Sequence, residues 1–398
     1  MRIARTIFTL GLAALLWQQG TAACPAATRA TEILAQVKQR EAPDKRQDIF
    51  ELTVSDSDGV LTVGGTCSEA SLRDAAMAAL AAAGIDAADA ITVLPSDRWA
   101  LVRIPVASLR TGGRHAAEMA TQAVMGTPLR VLDNSGEFIH VQTPDGYIAY
   151  VPSSSLTKLT DAQMAAWRGA PRLVVTAPWE IKVFDAPDTR SLRHVVTDLV
   201  NGSIVEPGGA TEQNGRINIK LPDGRTGWAE ASAFAPIAEW ASQPFNPDLI
   251  LDIAYATLGA PYLWGGTSTK APDCSGLAKV SYLANGRILM RDASQQATTG
   301  TRIEASDWRS CQAGDLLFFG NADTGRVTHV AIYDHDGGYV HSSGRVKHNS
   351  VDPSSPEYLT TPFLHAVRIA GNEGSRGITV AADHPWFFNG TGHSSINY

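Results

Sequence analysis

PYLWGGTSTKAPDCSGLAKVSYLAN, residues 261–285, places one cysteine where a Gly-rich loop turns into a helix. Trp264-Gly265-Gly266 and Ala271-Pro272 interrupt regular structure. From Cys274 onward Leu277, Ala278, Val280 and Leu283 recur at three- and four-residue spacings until Asn285-Gly286 stops the pattern. Asp273 is then the natural N-cap and Cys274 lies in the first turn. Unpaired backbone N–H groups and the positive end of the helix dipole favour a thiolate there, so the position predicts a thiol pKa about a unit or more below its free value near 8.5. Ser275 and Gly276 are small, which lets the helix start lie close to its neighbour. Cys274 is the candidate nucleophile. The ordinary alternative is a buried structural cysteine, and only a base elsewhere in the chain decides between the two.

Such a base is a histidine within hydrogen-bond reach, itself held by a third group. His329 in RVTHVAIY (326–333) and His341 in GYVHSSG (338–344) fall on predicted strands. Alternation puts Val327, His329, Ala331 and Tyr333 on one face, and Tyr339, His341 and Ser343 on one face of the next strand. A hairpin closing through Asp334-His335-Asp336 sets 329 opposite 341, with Cβ atoms about 5 Å apart. Asp336-Gly337 favours a two-residue turn instead, which would put the histidines on opposite faces; the pairing of two histidines selects the odd loop. His335 in the turn, His348 in a polar run and His365 near the domain's end are weaker candidates. A zinc site from Cys274, Cys311, His329 and His341 has no ligand spacing in its favour, so neither metal nor cofactor is expected.

The chain has 398 residues, enough for several domains, and its formal net charge of −7, from 33 Lys+Arg against 40 Asp+Glu, gives no basic footprint for nucleic acid. Residues 1–23 differ in kind: Arg2 and Arg5 precede an apolar run over 7–17, and Thr21-Ala22-Ala23 are small. This reads as a secretory signal peptide, placing the protein in the periplasm or cell envelope. Cys24 after the small residues also fits a lipoprotein junction, although Thr21 stands where that pattern has Leu; a membrane partner is expected only through that lipid. Cys67, Cys274 and Cys311 remain, none in a C-x-x-C pair, and an odd count leaves at least one thiol free.

Residues 24–95 read as a small α+β module, a helix followed by a strand pair, a second helix and a strand, and resemble a BON-like module of bacterial envelope proteins. Residues 98–240 read as all-β with an internal repeat: HVQTPDGYIAYVPSSSL (140–156) aligns with NIKLPDGRTGWAEASAF (218–234) 78 residues on. With Asp-Gly turns followed by Gly/Ala-aromatic pairs, the copies resemble two bacterial SH3-like barrels, at 96–165 and 166–240. Glu118 and Tyr147 in the first copy align with His194 and Arg225 in the second. Trp240 to Pro247 is a linker, the last domain spans 248–370 with GDLLFF (314–319) as a buried strand, and the tail 371–398, Gly/Asn/Ser-rich around Pro385-Trp386-Phe387-Phe388, reads as loosely packed surface.

PYLWGGTSTKAPDCSGL, RDASQQ (291–296), GDLLFF, THVAIY and GYVHSSG together resemble the NlpC family of papain-like cell-wall cysteine peptidases over about 120 residues. The resemblance implies Cys274 as nucleophile, His329 as general base and His341 as the orienting third member. It also sets Tyr262 beside an oxyanion hole formed partly by the Cys274 N–H. Two SH3-like domains ahead of such a peptidase resemble the subgroup that cuts γ-D-glutamyl–diamino-acid bonds in peptidoglycan stem peptides with a free N-terminal L-alanine. By that resemblance Glu118 and Tyr147 bind the alanine ammonium, and Asp273, Ser275 and Ser294 hold the rest of the L-Ala-D-Glu moiety. The expected fold is therefore multidomain: a papain-like α+β catalytic domain preceded by two all-β SH3-like barrels and a small α+β N-terminal module. The rival expectations are a hydrolase of intact cross-linked peptidoglycan anchored by its SH3-like domains, and a wall-binding protein without catalysis.

Overall fold

The computed structural model describes residues 24–390; the predicted signal peptide 1–23 and residues 391–398 lie outside the described residues. The chain divides into two units. The first comprises residues 24–43 and Phe50–Thr92. It holds helix α1 (Pro25–Glu41), strands β1 (Phe50–Ser57) and β2 (Val60–Cys67), helix α2 (Ala70–Ala82) and β3 (Ala88–Val93), the strands in sheet order β1-β2-β3. Period-two alternation sends Leu61 and Val63 inward. Helical spacing buries Ala30, Leu34 and Val37 on α1 and Leu72, Ala76 and Leu80 on α2. Asp44–Ile49, between α1 and β1, belongs to the second unit with everything after Thr92.

The second unit opens with β4 (Trp99–Val102), β5 (Val106–Arg110), β6 (Met119–Val124), β7 (Pro128–Asp133), β8 (Phe138–Gln142), β9 (Ile148–Pro152) and β10 (Leu156–Leu159), then α3 (Asp161–Gly169). A second set follows: β11 (Leu173–Val175), β12 (Ile181–Phe184), β13 (Val195–Leu199), β14 (Ile204–Pro207), β15 (Arg216–Lys220), β16 (Thr226–Glu230) and β17 (Phe234–Pro236). The first set runs β10-β4-β7-β8-β9-β5-β6 and the second, read from its far edge, β17-β11-β14-β15-β16-β12-β13. Position for position these are the same order. The sequence repeat is thus a repeat of topology: two SH3-like all-β regions, each around its own apolar core.

Helices α4 (Ile237–Ser242), α5 (Pro247–Ala256) and α6 (Cys274–Ala284) lead into the α+β domain, with β18 (Arg287–Leu289) and α7 (Ala293–Gln296). Its main sheet runs β19-β24-β20-β21-β22-β23. The strands are β19 (Thr301–Glu304), β20 (Leu316–Gly320), β21 (Val327–Tyr333), β22 (Gly338–Ser343), β23 (Arg345–Ser350) and β24 (Phe363–Arg368). β20 is apolar throughout because both its faces are covered. Leu316 and Phe318 pack under α5 and α6, and Leu317 and Phe319 pack with Cys311, Tyr333 and Tyr339.

The tail departs from the sequence expectation of a loose surface segment. β25 (Ile378–Val380) pairs with β18, and Trp386 and Phe387 enter a core shared with Trp99, Met164, Trp167, Ile204, Trp240 and Ile288. Burial of an aromatic side chain of this size contributes roughly 2–3 kcal/mol. His384, fully buried, donates from Nε2 to the Pro144 carbonyl at 2.8 Å and accepts from the Trp386 N–H at Nδ1 at 3.1 Å. The tail is therefore interior structure that joins both SH3-like regions to the last domain.

Candidate active site

Asp273 caps α6 as its position predicts, accepting from the Gly276 N–H at 2.7 Å, and its other oxygen takes the Gly265 N–H at 2.9 Å. A Cβ on Gly276 would stand 1.9 Å from the Gly266 carbonyl oxygen, so only glycine lets the helix start touch the loop. Behind both lies Arg291, which is buried. It donates to Asp273 at 2.6 Å and to the Ser275 hydroxyl at 2.8 Å, a charge-assisted clamp on the residues either side of Cys274. The oxygens of Asp273 and Ser275 are thus already engaged by the chain itself.

The histidines are brought together, in a register two residues from the expected one. The loop is odd and has three residues, His335, Asp336 and Gly337, because Asp334 and Gly338 close it with a backbone bond; Asp336 and Gly337 take φ of 48° and 85°. Tyr333 therefore faces Tyr339 and Ile332 faces Val340, which sets His329 diagonal to His341 on the same face. His329 Nε2 lies 2.7 Å from His341 Nδ1, and His341 Nε2 lies 2.9 Å from Asn349 Oδ1. Asn349 Nδ2 donates to the Glu357 carbonyl at 3.1 Å, which turns its oxygen towards the ring. That oxygen can only accept, so His341 carries its proton on Nε2, its Nδ1 accepts from His329 Nε2–H, and His329 is left with a lone pair on Nδ1.

The thiol of Cys274 lies against the backbone N–H of Val330, the residue after His329. Its pKa is pushed up to about 11, by burial first and by the Asp273 carboxylate second, against the Val330 and Ser275 N–H groups and Arg291. The expectation of a lowered pKa is overturned: desolvation outweighs the helix terminus. His329 is pushed down to about 3, by burial, His341 and Lys347. His341 is pushed down to about 4, by burial first, with the Asn349 bond opposing and Lys347 and His348 adding to it. With these shifts the thiol and both imidazoles are neutral at pH 7.

Cys274 opens into a cleft of about 380 Å³. The predicted residues Tyr262, Asp273, Ser275, Ser294, Glu118 and Tyr147 all line it, while the histidine rings do not; where the chain enters β21 its border is Arg326, Val327 and Thr328. Burial raises the Tyr262 phenol, with Cys274 and Asp273 adding to it, and burial with the Asp292 carboxylate raises that of Tyr147; both remain hydroxyl donors. Glu118 accepts from the Trp264 indole N–H at 2.7 Å. Gly265, at φ 79°, passes so near that a Cβ would stand 2.5 Å from the Met119 carbonyl oxygen, which locks the cysteine loop against the start of β6. The corresponding residues of the second copy are engaged elsewhere, His194 with Asp185 and Arg225 with Asp223.

Sequence reasoning missed Asn349, Arg291, Asp292 and Arg46. Asn349 had a signal: it shares strand parity with Lys347, which faces His341. Cys311 packs with Leu317 and Phe319 apart from Cys274, and among the described residues no group of three or more His, Cys, Asp or Glu could hold a metal.

Residues 259–368 match the NlpC/P60 family, and residues 109–156 match the bacterial dipeptidyl-peptidase Sh3 domain. A gamma-D-glutamyl-L-lysine dipeptidyl-peptidase of Bacillus cereus is 27% identical over 277 residues, 67% of this chain and 80% of that protein. Dipeptidyl-peptidase 6 of Lysinibacillus sphaericus is 29% identical over 251 residues, 61% of this chain and 88% of its own length. The fold is shared with the crystal structure of an NlpC/P60 family protein from Bacillus cereus, at TM-score 0.57 and 22% identity, covering 68% of this chain and 99% of that one. The matched catalytic domain and its SH3-type companion identify residues 259–368 as a cysteine peptidase domain of the NlpC/P60 type, beside a region similar to the bacterial dipeptidyl-peptidase Sh3 domain.

Proposed function

We propose that the protein hydrolyses the γ-D-glutamyl–diamino-acid amide of peptidoglycan stem peptides whose N-terminal L-alanine is free. The observation that carries this reading is the Glu118 carboxylate in the cleft that holds Cys274, supplied by the SH3-like region and oriented by Trp264. A carboxylate there complements an ammonium and penalises an acylated amine, which would leave the charge desolvated and unpaired. The two relatives named for dipeptidyl-peptidase activity support the same substrate class.

In this reading Cys274 Sγ attacks the γ-carbonyl while its proton moves to Nδ1 of His329. The Cys274 N–H and the Tyr262 phenol stabilise the oxyanion. The imidazolium of His329, oriented by His341 and Asn349, protonates the departing diamino-acid amine, and water then releases L-Ala-D-Glu from the acyl-enzyme. Cys274→Ala is expected to abolish cleavage of L-Ala-γ-D-Glu-diaminopimelate. N-acetylation of the alanine, or Glu118→Ala, lowers kcat/KM at least about tenfold, which corresponds to about 1.4 kcal/mol. Equal rates on free and acetylated peptides would refute the reading. Export belongs to the proposal too: residues 1–23 direct it, and palmitate labelling of the wild type but not of Cys24→Ala would establish the lipoprotein form, whereas an unlabelled wild type would exclude it.

A further inference from the structure

Asp44–Ile49 is a strap that belongs to the same unit as the peptidase although its sequence neighbours do not. It runs beside the first SH3-like region, where the Ile148 N–H donates to the Arg46 carbonyl at 2.7 Å and the Gln142 amide donates to the Gln47 carbonyl at 3.1 Å. From there the Arg46 side chain crosses to the peptidase wall. Nη1 donates to Asp292 Oδ2 at 2.8 Å and to Ser294 Oγ at 3.2 Å. The other edge of the guanidinium forks onto Asp44, Nε at 2.8 Å and Nη2 at 2.6 Å, and Gln295 closes the ring by donating to Asp44 at 2.8 Å. One side chain thus ties the strap and the segment that follows Arg291 together across the cleft.

The charges explain why a guanidinium is used. Asp44, Asp292 and Glu118 bring three carboxylates towards this end of the cleft, and Arg291 is already neutralised by Asp273. Without Arg46, Asp44 and Asp292 would repel; with it they are held. After Arg326 at the opposite border is counted, one net negative charge remains for a ligand ammonium, with Glu118 paired to no cation among the described residues. Burial tends to raise the Asp44 carboxyl, but the hydrogen bonds and charge of Arg46 outweigh it and hold the group below its ordinary value. Burial opposes the charge on Arg46, and Asp44 and Asp292 outweigh it and keep the guanidinium protonated.

We propose that Arg46 is a specificity-determining positioning residue. It is the clasp by which the strap closes one end of the cleft and fixes Asp292 and Ser294 around a ligand that presents a free ammonium with no residue before it. The inference rests on the free-amine reading above and adds to it a wall contributed from outside both matched domains.

The test uses the full chain and compares L-Ala-γ-D-Glu-diaminopimelate with its N-acetyl form in wild type, Arg46→Ala and Arg46→Lys. Arg46→Ala is expected to lose at least tenfold in kcat/KM on the free peptide, mainly through KM, so that the ratio of free to acetylated rates falls towards one. Guanidinium at tens of millimolar restores much of the loss, whereas urea, of the same shape and uncharged, does not. Arg46→Lys, which keeps the charge without the fork, lies between and carries the test if the alanine variant does not fold. A wild type that ignores acetylation overturns the substrate reading, and this inference with it. A discriminating wild type whose variants discriminate equally overturns the Arg46 inference alone.

Discussion

His329 gives its Nε2 proton to His341 at 2.7 Å, and His341 gives its own to Asn349 at 2.9 Å, so one amide oxygen at the end of the chain fixes the tautomer of both rings. Asn349 is therefore expected to matter as an orienter. Asn349→Ala frees the His341 ring to reverse its tautomer, and kcat falls at least about tenfold, or about 1.4 kcal/mol, with KM little changed. Asn349→Asp, still an acceptor, retains more activity than Ala. Wild-type kcat in both variants would show that the chain ends at His341.

The same geometry fixes how Cys274 responds to pH. With the thiol pushed up to about 11 and His329 down to about 3, no preformed ion pair occupies the resting site. The thiolate fraction, and with it the rate of alkylation by iodoacetamide, rises roughly tenfold per pH unit from pH 6 to 9. A plateau below pH 7 would reveal a stable thiolate and contradict the burial argument.

Gly265 links the Cys274 loop to the wall that carries Glu118. At φ 79°, alanine pays roughly 1–2 kcal/mol for the left-handed backbone, and its Cβ drives into the Met119 carbonyl at 2.5 Å. Gly265→Ala is expected to lower thermal stability and to cut kcat/KM on the free-amine peptide at least tenfold, because Glu118 precedes the residue displaced. Unchanged kinetics would mean that the wall moves independently of the loop.

Acid stability is set partly by His384, whose pKa is pushed down to about 4 by burial, against the bond to Pro144 and the charge of Asp145, with Arg168 adding to the fall. Its folded value lies below its unfolded one near 6.5. The neutral side chain therefore contributes fully above pH 6.5, and that contribution is lost as pH falls towards 4, up to about 3 kcal/mol. Protonation also removes the Nδ1 acceptor of the Trp386 N–H. Denaturant titrations of His384→Gln should show a weaker dependence of stability on pH between 6.5 and 4, by about 1.4 kcal/mol per unit, the slope of one proton. An identical slope in the variant would assign the acid sensitivity elsewhere.

What the sequence made legible was local. The helix start at Cys274, the alternation around His329 and His341 and the repeat at 78 residues each express a short period, and the structure carries all three. The hairpin register failed by two because the odd loop begins one residue later than the polar run suggests, with Asp336 and Gly337 both left-handed. The thiol pKa failed because a dipole is readable from position whereas burial depends on the whole fold. Arg46 had no signal at all: its partner Asp292 is 246 residues away. The aromatic cluster at 386–388 looked superficial because its polar neighbours in sequence conceal the apolar partners it meets in space.

That cluster also orders events during synthesis. Residues 381–387 complete a core whose other members come from both SH3-like regions, the α4 segment and the peptidase domain. The SH3-like sheets can each form as soon as their own strands have been made. The share of their packing against the peptidase that runs through Trp386 and Phe387 waits for those residues to be translated. A nascent chain paused anywhere before residue 386 thus lacks the last aromatic members of the core that joins these regions, although its separate sheets can already be folded.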